Sequence, residues 1–494
     1  MSREFNRRRL FTYAGGAAAL GAGVPMLSGT EEAGTLLPSQ IPLPEPFQTR
    51  LPIPRTLTPG QHPDHPGADY YEITDRVADL EIIPGTRTRV WGPDGTFPGP
   101  TIVSHSGRPT VVKRINKLPI PTVNHLHGGH VPSASDGFPT DMVMPEGHGT
   151  MPGMVEDPEA VTTVGSRIYE YPMTQRAATL WYHDHRMGAT GLDVWNGLAG
   201  FHLVRDREEN SLPLPAGDRD VPLMLADRSF NRDGSFRYDM EATMDGALGD
   251  VVLVNGAPWP VAEVHACRYR FRLLNASNAR RYRLSLGVPI VQIGSDGGLL
   301  ARPVTHDTLD IAPAERFDVV IDFSAYAGRD LTLVNQLGSG GTAVVMRFRV
   351  GGAVPDGSHV PAELSDVPRL NRAEAEVVRD FRFLRSPSKW GINGLAFDPM
   401  RPIATPRLGA CEIWRFVTDF HHPVHLHLVP FQVLSRNGRA PLPADSGWKD
   451  TVDLRPTELA EVIVRFTGYR GRYVLHCHNL EHEDMAMMAT VTVV

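Results

Sequence analysis

Apolar and polar residues alternate in short runs along most of the chain, and Gly/Pro clusters interrupt the runs every few residues. From Tyr70 the text reads YYEITDRVADLEII, then a Gly/Pro turn, then TIVSHSG and TVVKRINKL. A period of two between turn clusters predicts half-buried β-strands. The 47 glycines and 43 prolines are spread throughout, which suits many short strands joined by turns. The expected fold class is therefore all-β.

A length of 494 residues exceeds what one core holds and predicts several domains. A degenerate internal repeat divides the chain. RIYEYPMTQRAATLWYHDH, followed by GLAGFHLV, stands late in the first unit. LAEVIVRFTGYRGRYVLHCH, followed by MATVTVV, stands late in the last. AERFDVVIDFSAYAGRDLTLVNQ, followed by MRFRV, holds the same place in the middle unit without a histidine pair. Three copies of one β-sandwich follow, at 34–210, 211–365 and 366–494, with a Pro-rich arm opening the first. Metal ligands are kept in the first and third copies, so a shared site is expected between them.

The first thirty-three residues break the pattern. Arg7, Arg8 and Arg9 precede Leu10 and Phe11, and a small, weakly apolar run covers Tyr13 to Val24. That order reads as an export signal over 1–33, and Arg8-Arg9-Leu10-Phe11 resembles the twin-arginine type. The mature protein is then expected in the periplasm, at the cell surface or outside the cell. No other stretch approaches eighteen consecutive apolar residues, so no membrane span is expected in it. A net charge of −7 without a basic stripe argues against nucleic acid as a partner. Three cysteines make no disulfide framework; Cys267 and Cys411 read as small buried residues.

Half of the 20 histidines fall in four compact groups. These are His125-Leu-His127, His183-Asp-His185, His422-Pro-Val-His425-Leu-His427 and His476-Cys477-His478-Asn-Leu-Glu-His482. On a strand, residues i and i+2 share a face, so each His-x-His presents two imidazoles side by side. One such pair is commonly incidental; four pairs, one straddling a cysteine, point to several metal ions. Zinc takes four ligands per site and needs fewer imidazoles. A Cys with two His and a weak axial thioether describes a blue electron-transfer copper, here Cys477, His422, His482 and Met487. If His476-Cys477-His478 is extended, Cys477 faces one way and both histidines the other. One strand would then wire an entry copper to a second cluster behind it.

The four groups, in this order and spacing, resemble those of the three-domain multicopper oxidases. HLHGGHVPSASDGFP and HPVHLHLVPF…GWKDTV…HCHNLEHEDMAM are most similar to the bacterial spore-coat laccase, bilirubin oxidase and phenoxazinone synthase branch. The resemblance covers about Tyr70 to Val494. It implies three consecutive cupredoxin-like Greek-key β-sandwiches and four copper ions. It assigns type 1 copper to His422, Cys477, His482 and Met487, and type 2 copper to His125 and His425. The type 3 pair would share His127, His183, His185, His427, His476 and His478. The implied activity is one-electron oxidation of phenols or aromatic amines, with dioxygen reduced to water. It also implies a proton-delivering acid beside the cluster, and Asp136 falls at that position. Glu483, next to His482, is a second candidate.

Other features leave alternatives open. His421 is either a tuning neighbour of His422 or a solvent-exposed side chain, and the donor is expected at an exposed edge of His422. The segment 141–154 is rich in Met, which suits either a cuprous-ion site or an apolar loop. A cuprous or manganese oxidase is therefore an alternative, and a copper-storage or coat protein another. The bilirubin-oxidase-like relatives often carry a Trp before His-Pro-x-His. Thr418-Asp419-Phe420-His421 stands there instead, which weighs against a bilirubin-specific reading.

Overall fold

The computed structural model describes residues 34–147, 156–386 and 389–494. The export-signal reading and the distal part of the Met-rich segment (His148, Met151 and Met154) lie outside the described residues.

Strands dominate and build three consecutive β-sandwiches of the expected cupredoxin-like kind. The alternation over Asp69–Leu80 becomes a strand with Asp69, Tyr71, Ile73 and Asp75 buried and its polar partners outward. The arm opens with β1 (Thr35–Leu37). The second sheet of the first sandwich runs Gly99–His105, Ala199–Arg205, then the strand Ala178–Asp184, with β2 (Asn124–His127) at its edge. Ala178–Asp184, labelled β3, is buried at all seven positions rather than alternating. One of its faces meets the first core and the other meets the neighbouring units. Antiparallel pairing sets His183 opposite His125 and Trp181 opposite His127. A short helix, α1 (Thr190–Trp195), follows.

The middle sandwich has a seven-stranded and a five-stranded sheet and the largest apolar core. Its strand β4 (Ala247–Gly249) pairs in parallel with β1, and the Leu51 N–H donates to Val261 O at 2.7 Å. Leu57 N–H then bonds Thr101 O in the first sandwich, so the arm straps the two together. Cys267 is buried in the middle core, and Cys411 is buried in the third sandwich; neither is bridged.

In the third sandwich the site sheet contains β5 (His422–Leu426), β6 (Thr451–Leu454), β7 (Gly471–Cys477) and β8 (Met488–Val493), in the order β6-β5-β7-β8. Helix α2 (Leu480–Asp484) joins β7 to β8. Its own cap is Asn479, whose side chain accepts from the His482 N–H. No helix among the described residues is long and apolar enough to cross a membrane.

Candidate metal centre

The two faces of β5 and β7 separate the candidate ligands. Val424 pairs with Cys477 and His425 with His476. Cross-strand partners share a face, and residues two apart share it too. His422 therefore falls on the Cys477 face, while His425, His427, His476 and His478 fall on the other. The odd spacing of His422 and His425 sends one short strand's imidazoles to two places.

On the first face, His422 Nδ1 lies 3.3 Å from Cys477 Sγ and 3.2 Å from His482 Nδ1, and Sγ lies 3.7 Å from His482 Nδ1. All three side chains are buried. The Asn479 N–H donates to Sγ at 3.4 Å. Burial raises the Cys477 thiol well above its usual range, so a thiolate there needs a cation beside it. Met487 is buried in the same apolar cluster as Cys477. Its carbonyl accepts from the Cys477 N–H and its own N–H donates to His482 O. Met488 packs instead with Phe138 and Val474, and Met485 is half-buried.

On the second face eight histidines converge, four from the first sandwich and four from the third. Their ligand atoms lie within 4.8 Å of one another in three sets: His125, His127 and His425; His127, His183 and His478; His185, His427 and His476. Several outer ring nitrogens are engaged. His125 Nδ1 lies 2.6 Å from Asp136 O, His183 Nδ1 2.8 Å from Asp184 O, and His425 Nδ1 2.9 Å from Asp450 O. The inner Nε2 atoms of His125, His183, His425 and His478, and Nδ1 of His127, are buried without a partner. Burial holds His125, His127, His183, His427, His476 and His478 well below the usual imidazole range, and His185 at about 4. Neutral imidazoles with fixed tautomers and orphaned inward lone pairs fit metal ions; buried polar atoms in such number are otherwise costly.

Two carboxyl groups back this cluster. Asp136 Oδ2 accepts from His427 Nδ1 at 2.7 Å, and its Oδ1 is buried without a partner. Glu483 Oε1 lies 3.3 Å from His185 Nδ1 and its Oε2 3.0 Å from His476 Nδ1; the Thr190 hydroxyl donates to Oε1 at 2.8 Å. Burial raises both acids, Asp136 well above the usual range, with Asp141 adding to it.

Sequence reasoning passed over several residues. Asp450 accepts from His127 Nε2 at 3.2 Å and pairs with the buried Arg316. The string GWKDTV carries it, yet a lone Asp has no spacing signature. Trp390 stacks on His482 at 3.8 Å between ring centroids. One expectation is corrected. His422 is fully buried, so it offers the donor no exposed edge, and Asp419 stands over its Nε2. Of the two readings of His421, the solvent-exposed one falls, since its side chain is buried. In the Met-rich segment, Met142 and Met144 pack against Val123 as apolar filling.

A cavity of about 300 Å³ has exposed Pro368 and Thr467 at its mouth. Gly128, Gly129 and Trp448 form its walls, and buried His125, His427 and Asp450 its floor.

Three family models, each described as "Multicopper oxidase", match residues 76–209, 206–347 and 367–494. The chain is 37% identical to a laccase of Bacillus subtilis (strain 168), with 90% of this chain and 98% of that protein covered. It is 37% identical to a bilirubin oxidase of Albifimbria verrucaria, with 90% and 80% covered. A crystal structure of a laccase from Pediococcus acidilactici superposes with a TM-score of 0.83 at 32% identity, covering 93% of this chain and 95% of that one.

Proposed function

The chain belongs to the multicopper oxidase family, and we propose that the ligands brought together above hold its copper ions. It is a copper-dependent, laccase-like oxidase that takes single electrons from reducing donors and uses dioxygen as acceptor. His422, Cys477 and His482, with Met487 as the axial thioether, would hold the type 1 ion. His125 and His425 would hold the type 2 ion. The type 3 pair would be held by His127, His183 and His478 on one side and His185, His427 and His476 on the other. The observation that carries the assignment is the sorting of ligands onto two faces of β5 and β7.

Copper, when bound, supplies the one-electron chemistry at the first site and the reduction of dioxygen to water at the second. The chain's own residues do the rest. Peptide bonds join Cys477 to His476 and His478, so one strand gives a through-bond path between the sites. Asp136 and Glu483, whose carboxyl groups burial pushes above their ordinary range, stand against the outward nitrogens of His427, His185 and His476, where they are placed to exchange protons. The cavity floored by His125 and His427 lets small molecules in and out. Cuprous or manganese donors have no supporting contact among the described residues, and phenols and aromatic amines are the donor class proposed.

We also propose domains at 34–210, 211–365 and 366–494, supported by the three pairs of sheets. Export by a twin-arginine route through residues 1–33 is proposed from Arg8-Arg9-Leu10-Phe11.

The test is a visible spectrum of copper-loaded protein with oxygen uptake on a phenolic donor. An intense blue band, bleached without air and restored by it, is expected, together with its loss in Cys477→Ser. A blue band surviving that substitution would refute the type 1 assignment. Copper released stoichiometrically, without turnover, would refute the oxidase.

A further inference from the structure

The outer edge of His422 is closed by other side chains. His422 has no exposed surface, and its Nε2–H donates to Asp419 Oδ1 at 3.3 Å. Trp390 is buried, stands edge-on to His422 at 5.5 Å and stacks on His482, and Phe383 lies 6.2 Å from the His422 ring. Phe420, 46% exposed, lies edge-on to Trp390 at 5.8 Å. Among the described residues, Asp419 is thus the polar group that separates His422 Nε2 from solvent, with 29% of its side chain exposed.

Its carboxylate is held in place by the main chain. The Phe420 N–H donates to Oδ1 at 2.9 Å and the Arg385 N–H to Oδ2 at 2.7 Å. Oδ1 thus holds two donors, the Phe420 N–H and that of His422 Nε2, while Oδ2 has room for a further one, since a carboxylate accepts about four hydrogen bonds in all. The Arg385 guanidinium has a carboxylate partner of its own: it pairs with Asp245 Oδ1 at 2.8 Å and lies over the Trp390 ring at 5.1 Å.

We propose that Asp419 is a specificity-determining residue, selecting electron donors by charge and hydrogen bonding at the covered edge of His422. The inference rests on the reading of His422 as a type 1 ligand. A phenol or aromatic amine brings an O–H or N–H that a fixed carboxylate accepts, with the ring beside exposed Phe420. A cationic aromatic gains further from the charge. A sulfonated or otherwise anionic donor meets a like charge at the same place.

The test compares the copper-loaded parent with Asp419→Asn, which keeps the shape and removes the charge. Three donors are used: a phenol bearing a trimethylammonium group, 2,6-dimethoxyphenol, and a sulfonated dye. One unit charge at about 5 Å in water is worth roughly a fourfold change in binding. The kcat/KM for the cationic donor should fall about fourfold and that for the anionic dye rise about fourfold, mainly through KM. Both effects should shrink as salt rises past about 0.1 M, where the Debye length is about 10 Å. The type 1 potential, measured by redox titration in both proteins, separates charge selection from tuning. A change of potential alone moves all donors in one direction. Opposite movement of the two charged donors supports the inference; a common direction, or no change, overturns it. No oxygen uptake by the parent with any donor would instead overturn the oxidase reading and this inference with it.

Discussion

Glu483 touches the outward nitrogens of two histidines that belong to one ligand set, and Thr190 fixes its other lone pair. Glu483→Gln keeps an acceptor but cannot cycle a proton. Oxygen turnover should fall by about 10²-fold or more while the blue band is unchanged, read by oxygen uptake and spectrum on one sample. Loss of the band would mean that Glu483 acts through structure instead. Asp450 has a different burden: Arg316, buried at 0% exposure, has its carboxylate as a close partner. Asp450→Ala should cost about 3–5 kcal/mol by denaturant unfolding, since it removes the close carboxylate from a buried guanidinium and leaves it Asp296 Oδ1 at 3.6 Å. The histidines and Cys477 were legible because His-x-His on a strand has a fixed geometric meaning. Asp450 and Asp419 were not, because each acts on a ligand brought to it by folding.

The element that decides the site is a pair of short strands whose period of two divides imidazoles between faces. That much follows from spacing, and the sequence pattern around His422 to His427 already contains it. The helices beside the strands were not foreseen. Helix α1 has Ala189 at its N-cap and no side-chain bond of its own there. Asp484, at the end of α2, supplies the cap from a distance: its two oxygens accept from the Thr190 and Gly191 N–H groups at 2.8 Å each. Capping across 293 or 294 residues leaves no trace in a local pattern. The bond ties the segment after His185 to the segment after Cys477. Asp484→Ala should cost about 1–2 kcal/mol, the usual scale for a lost N-cap. It should also lower the copper content per chain, because His185 precedes α1 and His482 lies within α2. An unaltered melting temperature with full copper would show that the cap is dispensable.

At the scale of the whole molecule, the middle sandwich carries none of the proposed ligands yet holds the third one at several buried points. Tyr238, Asn278 and Ala247 all donate to Glu481, and Arg281 pairs with Asp453. Lys449, fully buried, reaches Asp296 and Glu315 at 2.9 Å each. Three sandwiches were legible from the repeat, whereas this clamp was not, since its charges are scattered singly through two units. Lys449 immediately precedes Asp450, whose carboxylate holds His127 and whose carbonyl holds His425. Lys449→Met removes the cation between two buried carboxylates and should destabilise the fold by about 3–5 kcal/mol. The damage should be one-sided. His127 and His425 face the eight-histidine cluster, while His422, Cys477 and His482 lie on the opposite face of the sheet and keep their own contacts. Copper per chain should therefore fall below four, and the type 2 resonance should weaken, with the blue band retained. Parallel loss of both signals would mean that the two faces do not respond independently to the clamp behind them.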